Sequence, residues 1–145
     1  MPAPERYGDE VPEVRSLWDG VGYFRAQGEV WIARATARSR LKGLPTEAEI
    51  GMMQLHLNLS DDDLTYLNEP RGHETNRYLR LVQGRLPAAV GNYFHEGMTS
   101  SDLLDTALAL QHLRSLDIVD NSFEDLAAAL LEKADEHRLT LQIAR

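Results

Sequence analysis

From Tyr23 onward, apolar residues return every three or four positions, at Tyr23, Ala26, Val30, Ala33, Ala37 and Leu41, and the pattern stops at Gly43-Leu44-Pro45. An α-helix turns once every ~3.6 residues, so this spacing predicts one amphipathic helix over residues 23–42 with its stop signal in place. Upstream, "ERYGDEVPEVRSLWDG" is punctuated by Gly and Pro and predicts an irregular arm with a short helix, anchored by Trp18. Downstream, Thr46 with Glu49 and Ser60 with Asp63 fit the hydroxyl-x-x-acid start of a capped helix. Each opens a short segment, carrying Ile50 and Met53 or Leu64 and Leu67. Tyr78, Leu81, Val82 and Leu86 predict a further helix between Gly72 and Pro87, with His73 at its entrance.

Two long helical stretches follow. The first, residues 100 to about 117, has apolar residues at 103, 104, 107, 108, 110, 113 and 116, an arc wider than one contact face. The second, 122 to about 140, places Phe123, Ala127, Leu130, Ala134, His137 and Leu141 alternately four and three apart, the seam of a long bundle helix. No comparable strand pattern occurs. The expectation is an all-α chain, with an N-terminal helical domain over 1–98 and the first long helices of a central bundle over 99–145. Helices apolar on several sides must pack against something, so partner helices from a continuation of the chain or from other subunits are expected.

Composition narrows the function classes. A chain of 145 residues with 43% hydrophobic and 26% charged content can bury a core and is near the size of one domain. No apolar run approaches the ~18 residues of a membrane span, and "MPAPE" lacks the basic and apolar regions of a secretory leader, so a cytoplasmic protein with no membrane partner is expected. The absence of cysteine excludes disulfides and thiolate metal sites. A net charge of -8 opposes phosphate backbones, so nucleic acid is not an expected partner, and a small anion needs locally focused donors. "HEGMT" begins like a zinc-binding HExxH, but Thr99 stands where the second histidine is required, so no metal is expected. The basic residues of "RATARSRLKG", residues 34–43, read as a solvated helix face.

"HEGMTSSDLLDTALALQ", residues 95–111, sets three hydroxyls and an acid directly before an apolar helical pattern. One reading is a capping box, in which a Thr99 or Ser100 oxygen takes an orphan N–H and Asp102 reaches back. The other is an anion site, because a helix start carries roughly half a positive charge and unpaired N–H donors that a carboxylate or phosphate can engage. Spacing alone leaves both open.

The same stretch resembles the first signature region of adenylosuccinate lyases, in the fumarase/aspartase superfamily, where His-x-Gly-x-Thr-Ser-x-Asp-x-x-Asp-Thr-Ala recurs. His95, Gly97, Thr99, Ser100, Asp102, Asp105, Thr106 and Ala107 fit it. Arg6-Tyr7, the following Trp18, and His73 one short helix before the signature also fall where that family has them, and "EKADEHRLTLQIAR" is similar to the segment leading into its Arg-Thr-His-Gly turn. The resemblance implies a reversible anti β-elimination that releases fumarate from a small anionic N-succinyl substrate, with no cofactor. It implies that Thr99 and Ser100 hold the substrate carboxylate on which charge builds, that Arg6 and Tyr7 hold its phosphate, and that His73 contacts the reacting end. His95, as a wall of the site, and Glu74 beside His73 are further candidates for substrate contact, while Asp105 and Thr106 are expected to orient the helix start.

Departures qualify this. The family reads Arg-His-Asp around the upstream histidine, whereas this chain has Gly72-His73-Glu74, which loses a cation and lengthens an acid, so the leaving group stays open. Superfamily relatives act on other succinyl compounds or on carboxymuconate rings as lyases or cycloisomerases. The family's acid histidine lies just past the position of Arg145 and its base serine lies far downstream, so the resemblance implies an N-terminal portion that is inactive alone. It also implies that a complete site gathers segments from three subunits of a homotetramer. A non-catalytic helical association module is the competing class. His56, His112 and His137 match nothing and are expected to be surface or packing residues.

Overall fold

The computed structural model describes residues 11–70, 72–141 and 143. Arg6 and Tyr7, expected to hold a phosphate, lie outside the described residues. Seven helices and no strand occur among the described residues: α1 (Pro12–Trp18), α2 (Gly20–Lys42), α3 (Glu47–Leu55), α4 (Asp61–Leu67), α5 (Glu74–Gly84), α6 (Ala88–Gly91) and α7 (Ser100–His137). The all-α expectation is met. None of the described helices is long and apolar enough to cross a membrane.

Local chemistry explains the boundaries. Asp19 ends α1 and begins α2, its Oδ1 accepting the Gly22 N–H at 2.7 Å. A Cβ at Gly22 would stand 2.3 Å from the Ser16 carbonyl oxygen, so only glycine lets the two helices meet this closely. Helix α2 ends at Gly43 with φ 74, the left-handed conformation that glycine adopts without steric cost. Both short capping boxes form as the spacing predicts: Thr46 with Glu49 opens α3, and Ser60 with Asp63 opens α4.

The core is built around Trp31. Its ring lies 5.1 Å from that of Tyr78 and 5.4 Å from that of Phe94, and Phe24 meets Tyr78 at 5.0 Å. Met53, Leu67, Val82, Val90, Leu103 and Ala107 complete it from the remaining helices. One sequence expectation is corrected here. Ala33, Ala37 and Leu41 are exposed, and the buried line on α2 runs through Phe24, Gln27, Trp31 and Ala35. The aromatics decide the rotation, because Phe24 and Trp31 remove far more apolar area from water than alanines do.

A second correction concerns the C-terminal end, where the two predicted long helices are one, α7, of 38 residues. Nothing between Leu116 and Phe123 breaks it: the stretch holds no Gly or Pro, and the Ser122 hydroxyl donates back to the Ile118 carbonyl at 2.9 Å, inside the helix. The first half of α7 lies along α2 and α1. Arg114 pairs with Glu29 of α2 at 2.5–3.0 Å, Gln111 donates to the Leu17 carbonyl, and Trp18 donates to Ser115 Oγ at 2.9 Å while its ring meets His112 edge-on at 5.0 Å. The predicted anchoring role of Trp18 is therefore observed. From Val119 onward every described residue is exposed, and Leu113, Leu116, Val119, Phe123, Leu126 and Leu130 form a continuous apolar stripe at three-four spacing.

Candidate functional site

The turn before α7 is where the sequence concentrated its candidates, and it is tightly specified. His95 has φ 57, a left-handed backbone that few non-glycine residues adopt, and Gly97 follows with φ 67. Between them Glu96 is gripped from α2. Its carboxylate takes Arg38 at 2.9 and 3.2 Å, with Arg34 at 3.8 Å. Arg38 also donates to the Leu44 carbonyl at 2.7 Å and stacks over the Tyr93 ring at 5.2 Å. The basic face of residues 34–43 is thus not simply solvated, since Arg34 and Arg38 fasten this turn. Trp31, Arg34 and Arg38 share a face at three-four spacing. Sequence reasoning missed them because that spacing does not say which acid, if any, the arginines meet.

His95 lies against the same face. Its Nδ1 accepts the Trp31 indole N–H at 3.2 Å, and the two rings are perpendicular, 89° apart, with centroids at 6.1 Å. Burial and then the nearby Arg34 cation push its pKa down, against a smaller opposing pull from Asp102. A ring whose Nδ1 accepts carries its proton on Nε2 when neutral, so Nε2–H is the free donor.

At the start of α7 the cap and anion readings divide between two residues. Thr99 is the cap: its Oγ1 accepts the Asp102 N–H at 3.3 Å and donates to Asp102 Oδ2 at 3.0 Å, while its own N–H donates to that oxygen at 2.7 Å. Those backbone and side-chain bonds from Thr99 hold the Asp102 carboxyl below its ordinary range. Ser100 is the first residue of the helix, is exposed, and its hydroxyl has no partner among the described residues. The backbone N–H groups of Ser100 and Ser101 likewise have no acceptor among the described residues, as expected for a first helical turn. Asp105 and Thr106 are exposed on the next turn.

His73 and Glu74 lie elsewhere on the surface. His73 occupies the N-cap position of α5 without its imidazole making a capping bond, and both residues line a depression of about 430 Å³ with Leu67, Pro70, Gly72 and Arg77. Glu74 Oε1 accepts the Tyr23 hydroxyl at 2.6 Å. No residue of the 95–102 turn borders that depression, so the chain by itself presents two separate candidate surfaces. Of the unmatched histidines, His112 packs on Trp18, His56 ends α3, and His137 is exposed near Thr140 at 3.3 Å.

Comparison with known proteins bears out the resemblance read from the signature. The chain is 29% identical to the adenylosuccinate lyase of Methanocaldococcus jannaschii over 146 residues, which takes in 99% of this chain and 31% of that enzyme. It is 31% identical to the adenylosuccinate lyase of Synechocystis sp. over 141 residues, 97% of this chain and 32% of the relative. With the adenylosuccinate lyase of Bacillus subtilis the identity is 28% over the same length and coverage. The chain therefore spans about a third of the length of the curated relatives it matches. No family model and no solved structure matches it.

Proposed function

This chain is related to the adenylosuccinate lyases along nearly its whole length, and from that relation we propose that it is the N-terminal part of a fumarate-releasing C–N lyase acting on an N-succinyl substrate, adenylosuccinate first among them. The observation that carries the reading is that the similarity, at 29–31% identity, runs over 97–99% of the chain and is not confined to one signature stretch. The lyase assignment at family level rests on the relatives. The particular substrate rests on the resemblance.

The chemistry fits the start of α7. Taking the proton beside a carboxylate builds charge on that carboxylate, and the elimination needs donors already aimed at its oxygens. Thr99 has its hydroxyl proton committed to Asp102, so we assign the capping role to Thr99 and the donor role to Ser100, with the N–H groups of the first turn. His95 contributes Nε2–H from the adjoining turn. Arg6 and Tyr7 are proposed to hold the phosphate of the substrate, and His73, with Glu74 beside it, to contact the reacting end. In this reading the two surfaces meet in an assembly, a homotetramer in which the exposed stripe of α7 joins a shared bundle and residues 99–145 begin a central domain distinct from residues 1–98. Cytoplasmic purine metabolism is the corresponding setting.

The test is fumarate release, followed by absorbance, from adenylosuccinate and other N-succinyl compounds supplied to the complete gene product and separately to the 145-residue chain. Turnover by the complete product and none by the chain supports the reading. Turnover by the isolated chain refutes the assignment of this segment as one contribution to a shared site, and no turnover of any N-succinyl compound by the complete product favours the association module.

A further inference from the structure

We propose that Trp31 is a positioning residue for His95: its indole N–H, bonded to Nδ1, holds the imidazole in the Nε2–H tautomer and in one orientation, leaving that N–H as a hydrogen-bond donor for an anionic substrate group. The assignment of the donor to substrate rests on the function proposed above; the tautomer does not.

The geometry carries the argument from both sides of the 3.2 Å bond. Trp31 is fully buried and packed between Tyr78 and Phe94, so its N–H cannot turn to another acceptor without breaking the core. On the other side, His95 is held in a left-handed backbone at φ 57, a conformation that persists only where its surroundings over-determine it. Those surroundings are visible: the Arg38–Glu96 pair at 2.9 Å fastens the next residue, and Gly97 at φ 67 admits Arg34, whose Nη2 would lie 3.4 Å from a Cβ there. The ring is therefore fixed at its backbone, in its plane and in its proton, which is the preorganisation a donor to charge requires. Partial burial, and after it the Arg34 cation, favours the neutral ring. Such a histidine serves as a fixed donor and does not relay protons through Nδ1. A tryptophan at this place thus does more than fill the core, and Trp31→Phe separates the two contributions because it keeps an aromatic ring and deletes the N–H.

The experiment is nitrogen-15 NMR of the His95 ring in the 145-residue chain, wild type and Trp31→Phe, with kcat/KM of the same variant in the complete gene product. Wild type is expected to show Nδ1 as the unprotonated nitrogen and Nε2 as the protonated one, and Trp31→Phe to show a mixture of tautomers. Turnover of the variant is expected to fall about tenfold: the tautomer mixture alone accounts for about twofold, and the rest comes from a ring no longer held in one orientation. A wild-type ring protonated on Nδ1 overturns the proposal without any variant, and so does an unchanged single tautomer in Trp31→Phe. Should the variant not fold, the wild-type spectrum alone decides. Mixed tautomers with kcat/KM within about twofold of wild type overturn the donor role. If the wild-type complete product releases no fumarate at all, the lyase reading fails, while the NMR still decides what Trp31 does to His95.

Discussion

Replacing Thr99 and Ser100 separately by alanine should cost very different amounts of stability, although the two hydroxyls are neighbours. Thr99→Ala removes the acceptor of the Asp102 N–H at 3.3 Å and the hydroxyl donor to Asp102 Oδ2 at 3.0 Å, leaving only the backbone N–H on that carboxylate. Loss of such a cap costs about 1 kcal/mol. Ser100 has no hydroxyl partner among the described residues and occupies the first position of α7, where alanine is a good helix former. Its replacement should stay within about 0.5 kcal/mol. An unfolding entropy of ~2.1 cal/mol/K per residue gives about 0.3 kcal/mol/K for a chain of this size, so Thr99→Ala should lower Tm by about 3 °C and Ser100→Ala by less than about 2 °C. Melts followed by far-UV circular dichroism, with urea titrations to confirm an unchanged m-value, measure both. A Ser100→Ala variant as destabilised as Thr99→Ala refutes the division of roles, as does a Thr99→Ala variant with no loss.

Three further outcomes follow from the same structure. Glu49, Asp63 and Asp102 all close capping boxes, and each carboxyl lies below its ordinary range; the Thr46 and Thr99 backbone N–H groups are the main cause at Glu49 and Asp102, whereas at Asp63 burial pushes upward and is outweighed by Ser60 and Arg85. The unfolded chain therefore takes up these protons first, so this stability is present above the unfolded carboxyl range of about pH 4 to 4.5 and is lost as pH falls from there through the lower values of the folded carboxyls; a urea midpoint that does not fall on acidification below that range contradicts it. Arg38→Ala should cost about 1 kcal/mol by releasing Glu96 and the Leu44 carbonyl, partly exposed as the pair is, and should quicken amide exchange at residues 95–97; unchanged exchange there would show that the turn is held by something else. Phe123→Glu, at the middle of the exposed stripe and 64% accessible, should abolish the proposed self-association in sedimentation experiments while leaving the helical signal intact, and association unchanged by that charge would move the contact off α7.

The helices were legible where local rules govern. All three hydroxyl-x-x-acid starts became capping boxes, and Gly43 stopped α2 where the spacing ended. What misled was tertiary. The alanine stripe of α2 lost to Phe24 and Trp31 because buried area, which depends on what lies opposite, outranks periodicity. The gap expected between residues 117 and 122 is helix as well, because no Gly or Pro interrupts it and the Ser122 hydroxyl finds a carbonyl within the helix. The candidate residues at 95–102 were visible as a pattern, but the division between Thr99 as cap and Ser100 as free hydroxyl depends on which oxygen faces Asp102. The contributions of Trp31, Arg34 and Arg38 were not legible, since they lie about sixty residues from the turn they hold and only folding joins them.

The central claim is that the start of α7 holds the substrate carboxylate through Ser100. The direct measurement is kcat/KM for fumarate release by the complete gene product carrying Ser100→Ala, read beside the stability of the same variant. The account predicts a loss of roughly a hundredfold in turnover, the scale of a removed oxyanion donor, with a stability loss below about 0.5 kcal/mol. Near-normal turnover in a variant that is merely less stable would contradict it, and would place the carboxylate elsewhere.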